Sequence, residues 1–168
     1  VKTAHEHEYE LKILRAVDEV NEKQKKVLLK KVNRYFNNQL TGKTIAVWGL
    51  AFKPQTDDMR DAPSVVVINS LLEMGAKVKA HDPVAMPRAK ALLDGKLDLV
   101  ETSYDALKGA DALLIVTEWN EFRRPDFERM KSLMKKPVIF DGRNIYDPRE
   151  MKERGFVYFG VGRGGEKQ

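Results

Sequence analysis

Three cationic side chains follow predicted strands, at positions where they could bind an anion. Lys53 and Arg60 lie in the stretch "GLAFKPQTDDMRDAPS" (Gly49–Ser64), and Arg143 lies in "DGRN" (Asp141–Asn144). In an open α/β sheet, ligands bind beyond the carboxyl ends of the strands. Lysine and arginine together at such a crevice suit a ligand that carries phosphates. We therefore expect these three side chains to lie on one rim and to bind an anionic ligand.

Several of these positions have a structural alternative that the sequence leaves open. Lys53 taken alone is typical of a solvated surface lysine, and Arg143 could form an ion pair with a neighbouring aspartate. Asp57 and Asp58 could hold the loop, either by capping or by pairing with Arg60. Trp119, in "VTEW" (116–119), could stack on a ring, although a tryptophan at a strand end more often belongs to a core or an interface.

Several kinds of site are not predicted. Ala51 and Lys53 stand where a G-x-G-x-x-G dinucleotide loop would favour glycine. The chain has no cysteine, so it offers no disulfide, no thiolate zinc site and no cysteine nucleophile. His5, His7 and His81 are too scattered to predict a metal site. Neither a Ser-His-Asp arrangement nor a pair of catalytic carboxylates can be argued from spacing, and we name no catalytic residue.

After Gly42, short apolar runs alternate with helical patterns, which predicts βαβ units and a parallel sheet covered on both faces. We expect an α/β fold with a Rossmann-like, doubly wound parallel sheet, preceded by one long α-helix. The predicted strands are Thr44–Trp48, Lys77–His81, Leu97–Glu101, Ala112–Thr117, Val138–Asp141 and Val157–Val161. The predicted helices are Ser64–Met74, Pro87–Leu93, Tyr104–Lys108, Asp126–Met134 and Pro148–Arg154.

Residues 5 to 38 form one long helical pattern of apolar residues at three- and four-residue spacing. A helix of about 30 residues is about 45 Å long, which exceeds what one small domain needs. It would then bridge domains or build an oligomer interface, although it could also merely cover its own domain. We expect residues 1–40 to form a dimerisation helix, 41–163 the ligand-binding domain and 164–168 a flexible tail.

The bulk composition is that of an ordinary soluble chain, with 33% charged residues and a net charge of +5. A basic balance is compatible with nucleic acid, an anionic membrane or an anionic small ligand, but basic and acidic residues are interspersed along the chain. We find no transmembrane run and no signal-peptide pattern, and we expect a cytoplasmic protein. Because the first residue is Val1, we interpret the chain as a fragment of a longer protein.

Four ordered motifs resemble the C-terminal domain of the nucleotide-sugar dehydrogenases, the UDP-glucose/GDP-mannose dehydrogenase family. They are "GLAFKPQTDDMRDAPS", "HDP", "VTEW" and "FDGRNIYDP", and the resemblance runs from about residue 10 to 163. It is greatest to the family members that oxidise UDP-glucose. The resemblance implies an upstream NAD-binding domain, a long helix that builds a homodimer, and a C-terminal UDP-sugar domain.

The resemblance also implies roles for four residues. Phe52 and Lys53 would contact the UDP-sugar, Arg143 would bind its nucleotide part, and Arg60 would reach NAD held by the other domain. In the family, two NAD oxidise the C6 alcohol of UDP-glucose to the carboxylate of UDP-glucuronate by way of a cysteine thioester. Since this chain has no cysteine and no G-x-G-x-x-G loop, we expect it to be inactive alone.

Two other functions remain open at this point. The same domain could belong to a dehydrogenase for UDP-N-acetylmannosamine or GDP-mannose. Alternatively, the chain could be a stand-alone nucleotide-sensing or nucleic-acid-binding module. A nucleic-acid binder should show a clustered basic stripe or a helix-turn-helix pattern, and neither is evident, so we expect no nucleic-acid partner and no membrane partner.

Overall fold

The computed structural model describes residues 12–93 and 95–163, so the expectations for His5, His7 and the tail 164–168 lie outside the described residues. Six parallel strands form one sheet in the order β3-β2-β1-β4-β5-β6. The strands are β1 Thr44–Trp48, β2 Lys77–His81, β3 Asp98–Leu99, β4 Ala112–Ile115, β5 Val138–Asp141 and β6 Val157–Gly160. The helices are α1 Lys12–Lys25, α2 Val27–Tyr35, α3 Pro63–Glu73, α4 Met86–Leu92, α5 Ser103–Leu107, α6 Asn120–Arg123, α7 Phe127–Leu133 and α8 Pro148–Glu153.

The sheet separates two hydrophobic cores, because successive side chains of a strand point to opposite faces. In β1, Ile45 and Val47 pack into one core, while Ala46 and Trp48 pack into the other. The first core includes buried residues of α2, α3 and α4, and the second includes buried residues of α5 to α8. The chain thus has helices on both faces of a parallel sheet, which confirms the predicted fold class.

The predicted long helix is present over residues 12–35 but is interrupted at Lys26. There the Lys26 amide bonds to the Lys23 carbonyl, three residues back, at 3.2 Å, which tightens one turn. The two halves differ in burial. Leu28, Leu29 and Val32 of α2 are buried in the first core, whereas no residue of the described helix α1 is buried.

Element ends differ from the prediction by a residue or two in most cases, and β3 is shorter than predicted. Asp147 caps α8 by accepting hydrogen bonds from the Arg149 and Glu150 amides, with Pro148 at the first helical position. Within the described residues, none of the helices is both long and apolar enough to cross a bilayer.

Candidate functional site

The first turn of the sheet, directly after β1, is fixed by contacts from two neighbouring segments. Gly49 has φ +88°, and a Cβ placed on it would lie 2.5 Å from Cβ of Thr117. Only glycine tolerates both that backbone conformation and that approach. Thr117 donates its hydroxyl hydrogen bond to the Ala51 carbonyl at 2.6 Å, and Ser64 donates to the Leu50 carbonyl. The start of the Gly49–Ser64 loop is therefore rigidly placed.

Asp82, the residue after β2, joins this turn to its neighbours. One carboxylate oxygen accepts the amides of Leu50 at 2.7 Å and Ala51 at 3.1 Å. The other accepts the amides of Val84 and Ala85 at the start of α4. Burial alone would raise the pKa of Asp82, but these four hydrogen bonds stabilise its charged form and hold the pKa below its ordinary value.

Arg143 is displayed by a tight turn that follows β5. Asp141 accepts the Arg143 amide at 2.8 Å with one oxygen and the Ile145 amide at 2.8 Å with the other. Gly142 lies so close to the Ile115 carbonyl that a Cβ would meet that oxygen at 2.9 Å. Asn144, with φ +54°, bonds the Val161 backbone through both ends of its amide. Each residue of "DGRN" thus fixes part of the turn that carries the guanidinium.

The Arg143 guanidinium bridges three strand ends. Nε donates to the Val116 carbonyl after β4 at 2.7 Å, and Nη2 donates to the Phe52 carbonyl after β1 at 3.0 Å. The Glu118 carboxylate pairs with Nε at 3.0 Å, so the ionic partner is a glutamate rather than an aspartate. The contact with Phe52 brings the loop of Lys53 and the turn of Arg143 together at the carboxyl edge of the sheet.

A cavity of about 650 Å³ lies beside Arg143, between α1 and this edge of the sheet. Phe52, Val116 and Gly142 line it on the sheet side, together with Arg143. The α1 wall contributes mainly polar side chains, namely Asp18, Asn21, Glu22, Gln24 and Lys25. Its size is in the range of small-molecule sites, which occur at this edge in doubly wound sheets. An aromatic ring, a fixed guanidinium and several hydrogen-bonding groups therefore face one space.

The structure places Phe52 and Arg143 at the same cavity and gives the other two predicted residues, Lys53 and Arg60, different settings. Phe52 is half exposed and lines the cavity with Arg143, whereas Lys53 is exposed beside it. Arg60 pairs with Asp58 as a fork, with Nε to Oδ1 at 3.0 Å and Nη2 to Oδ2 at 2.8 Å. The hydrogen bonds from Arg60 hold the pKa of Asp58 well below its ordinary value.

Other candidate residues have structural settings. Trp119 is buried in the second core and donates its indole N–H to Asp82 at 3.1 Å, so it is unsuited to stacking on a ligand. His81 donates from Nδ1 to the Val100 carbonyl at 3.0 Å, and its Nε2 lies 3.3 Å from the Glu121 carboxylate. Within 12–93 and 95–163, the structure contains no cluster of three or more side chains that could ligate a metal.

Sequence reasoning missed Asp82, Glu118 and Asn144 as residues that shape the site. All three residues lie in the motifs "HDP", "VTEW" and "DGRN", in which the sequence argument assigns roles only to Arg143 and Trp119. A usable signal existed for Asp82, since an aspartate two and three residues before helix-starting amides is typical of a local side-chain cap. The α1 wall could not be found from sequence, because it depends on how a distant helix packs.

The first turn does not fit a dinucleotide pyrophosphate. In such a site, backbone amides after β1 and the following helix N-terminus bind the phosphates. Here the amides of Leu50 and Ala51 are already bonded to the Asp82 carboxylate. A pyrophosphate would have to displace a buried anion and would be repelled by it. This turn therefore does not bind NAD in the usual way.

Comparisons with known proteins identify the family. A model of the "UDP-glucose/GDP-mannose dehydrogenase family, UDP binding domain" matches residues 46–148. The chain is 45% identical to UDP-glucose 6-dehydrogenase of Pseudomonas aeruginosa and 44% identical to that of Rhizobium meliloti. Each match covers 97% of this chain but 37% of the relative, so the chain spans little more than a third of these proteins.

Solved structures agree with this assignment. The structure of a UDP-glucose dehydrogenase from Pyrobaculum islandicum matches with a TM-score of 0.81 at 31% identity, covering 97% of this chain and 35% of that one. A UDP-D-ManNAc dehydrogenase from Pyrococcus horikoshii matches with a TM-score of 0.69 at 27% identity, covering 92% of this chain and 34% of that one. The chain belongs to the UDP-glucose/GDP-mannose dehydrogenase family and corresponds to its C-terminal, UDP-binding domain.

Proposed function

We propose that this chain is the substrate-binding domain of an NAD-dependent UDP-glucose 6-dehydrogenase, which converts UDP-glucose and two NAD to UDP-glucuronate. The observation that carries the proposal is the Arg143 guanidinium, held by the Val116 and Phe52 carbonyls beside a cavity of about 650 Å³. A planar fork held in this way is pre-organised to bind a phosphate or a uracil ring. The similarity to UDP-glucose 6-dehydrogenases supports the choice of substrate.

In this proposal, residues at the carboxyl edge of the sheet contact different parts of the substrate. Arg143 binds the nucleotide part, and Phe52 and Lys53 contact the UDP-sugar. Lysine suits a phosphate as a mobile point charge. The α1 wall carries the carboxylates of Asp18 and Glu22, of which Glu22 is paired with Lys25 at 2.6 Å, and carboxylates accept hydrogen bonds from hydroxyl groups. The sugar or ribose hydroxyls would then face α1 and the phosphates would lie toward Lys53.

The cofactor is assigned to a different domain of the complete protein. NAD supplies the oxidant that accepts hydride, and the first turn of this domain is unsuited to hold it. Arg60 is four-fifths exposed in its pair with Asp58, and we assign it to contact NAD bound by that other domain. Because the chain has no cysteine to form the thioester, it binds substrate without turning it over. Residues 41–163 are assigned as the UDP-sugar-binding domain.

The assembly we propose is a cytoplasmic homodimer that uses the long helix, within residues 1–40. Four large apolar side chains of α1 are exposed: Ile13, Leu14, Val17 and Val20. Their exposed fractions run from 46% to 80%. They recur at helical spacing and form one stripe. Exposed apolar surface of this kind is typical of a surface that another helix covers.

The proposal is tested by calorimetric titration of the chain with UDP, UDP-glucose, GDP-mannose and NAD. Wild type should bind UDP and UDP-glucose, and Arg143→Ala should lose about 1.5–3 kcal/mol, the range for hydrogen bonds to charged groups. That loss is about 10- to 150-fold in affinity. Arg143→Lys should recover part of it, because an ammonium cannot reproduce the fork.

Arg154→Ala is the matched control. Arg154 follows α8 at the amino edge of the sheet and pairs with Glu150 at 2.9 Å, much as Arg143 pairs with Glu118. Its removal should leave UDP affinity unchanged. Equal UDP affinity of Arg143→Ala and wild type, with both proteins folded, would contradict the site assignment.

A related sugar nucleotide is the second candidate substrate. The match to a UDP-D-ManNAc dehydrogenase structure at 27% identity favours UDP-N-acetylmannosamine over a GDP-sugar. Titration with this compound in the same experiment separates the two candidates. Tighter binding than UDP-glucose would replace the proposed substrate while leaving the roles of Phe52, Lys53 and Arg143 in place.

A further inference from the structure

Asp82 is a buried carboxylate that the proposed function does not use. Its side chain follows β2 and the residue is 1% exposed. Its five hydrogen-bond donors are all N–H groups rather than cations. They are the amides of Leu50, Ala51, Val84 and Ala85 and the indole of Trp119, at 2.7 to 3.1 Å.

Two of the donors, the Leu50 and Ala51 amides, come from the turn after β1. Successive backbone amides in a turn form a concave anion site, and the turn after β1 is the one that binds phosphates in dinucleotide-binding folds. In those folds an acidic residue near the end of β2 reaches outward to a ribose hydroxyl. Here the acidic residue at that position turns inward. The Asp82 carboxylate occupies the amides that a pyrophosphate would otherwise use.

The same hydrogen bonds lead directly to the ligand-binding groups. Leu50 and Ala51 immediately precede Phe52, whose carbonyl accepts the Arg143 guanidinium at 3.0 Å. Thr117 holds the Ala51 carbonyl at 2.6 Å from the other side. Loosening the two amides would therefore loosen the segment that carries the Phe52 carbonyl, one of the backbone acceptors that orient Arg143.

We propose that Asp82 is a positioning and specificity residue, a built-in anion that fills the phosphate turn of this domain. It excludes a dinucleotide from the turn and fixes the Phe52 carbonyl against Arg143. The consequence for UDP binding rests on the proposed function, whereas the occupation of the turn does not. The two parts are tested by different measurements.

The first measurement follows the backbone amide signals of Leu50 and Ala51 by NMR and does not depend on UDP binding. In Asp82→Ala, formate at about 10–100 mM, a choice suited to weak anion binding, should shift both amides and raise the melting temperature. Wild type should show neither effect, and NAD should leave its two amides unmoved. Absence of the formate effects in folded Asp82→Ala would overturn the proposal, as would NAD binding at these amides in wild type.

The second measurement is UDP affinity of Asp82→Asn, which keeps the side-chain volume and serves if Asp82→Ala does not fold. We expect UDP binding to weaken by about tenfold or more. The side-chain NH₂ group of Asn would replace one carboxylate oxygen and would face backbone N–H groups, to which it cannot hydrogen-bond. Asp111→Asn is the matched control. Asp111 is a buried carboxylate that accepts the Thr44 amide at 2.8 Å, at the amino edge of the sheet.

The outcomes separate the two proposals. Loss of UDP affinity in Asp82→Asn but not in Asp111→Asn supports the positioning role. Equal losses in the two variants would mean that general destabilisation is responsible and would overturn it. If wild type itself does not bind UDP, the proposed function fails, and the formate measurement still decides whether Asp82 occupies the turn.

Discussion

Replacing Gly49 by alanine tests the packing of the turn that carries Phe52 and Lys53. The new Cβ would lie 2.5 Å from Cβ and 2.6 Å from the backbone nitrogen of Thr117. These distances force the backbone of one segment to move, because real Cβ contacts of this kind do not occur. The residue would also keep φ at +88°, which an L side chain rarely adopts.

The expected loss has two parts that a second glycine can separate. A left-handed backbone conformation costs about 1–2 kcal/mol for a residue with a Cβ, and overpacking costs about 1–3 kcal/mol. Gly49→Ala should therefore lower the free energy of unfolding by about 2–5 kcal/mol. Gly155 has φ +80° and open space around its Cβ position. Gly155→Ala should thus show the backbone part alone, about 1–2 kcal/mol.

Urea denaturation of the chain, followed by tryptophan fluorescence, measures both variants under the same conditions. The difference between them reports the overlap with Thr117. UDP affinity of Gly49→Ala should fall as well, since the turn leads to Phe52, while that of Gly155→Ala should not. Equal destabilisation by the two substitutions would refute the reasoning, because it would mean that the turn can move away from Thr117 without cost.

Three further predictions follow from other parts of the structure. The pKa of Asp82 is lowered in the folded state, so its charge stabilises the fold above pH of about 4, and this contribution is lost as pH falls through the folded-state pKa. Urea unfolding at pH 7 and below pH 4 should therefore show a smaller decrease in the free energy of unfolding on acidification in Asp82→Asn than in wild type. Val17→Asp and Val20→Asp, which place charges on the exposed stripe of α1, should convert a dimer into a monomer in light scattering without lowering UDP affinity, and an unchanged mass would exclude that interface. The chain alone should form no NADH from UDP-glucose and NAD; turnover that co-purifies with the chain and depends on UDP-glucose would contradict the assignment of catalysis to another domain.

The sheet could be predicted from sequence because its signals are local. Short segments of four to six residues, most of them apolar, marked the strands, and their alternation with helical patterns implied parallel pairing. Asp147 before Pro148 and Gly155 after the last helix are local signals of helix ends, and α8 begins and ends there in the structure. Local hydrogen-bonding and backbone preferences decide such features, and they do not depend on distant contacts.

The remaining features depend on contacts between distant segments. The break at Lys26 is not marked by proline or glycine, so the periodic pattern runs through it unchanged. The four-residue helix α6 is too short to give a pattern. Trp119 is buried in the second core, where its indole N–H donates to Asp82, 37 residues away in sequence. The cavity beside Arg143 exists only because α1 crosses the edge of the sheet, which no local pattern encodes.

The break at Lys26 divides the long helix into segments of different cooperativity. Because α2 is anchored by Leu28, Leu29 and Val32, its amides should exchange with solvent deuterium only when the whole domain unfolds. The amides of α1 should exchange through local opening, since no residue of that described helix is buried. A ligand that spans the cavity from Arg143 to α1 would couple the two segments. Slower deuterium uptake in α1 would then report ligand binding at the site, although no residue of this described helix is buried in the domain core.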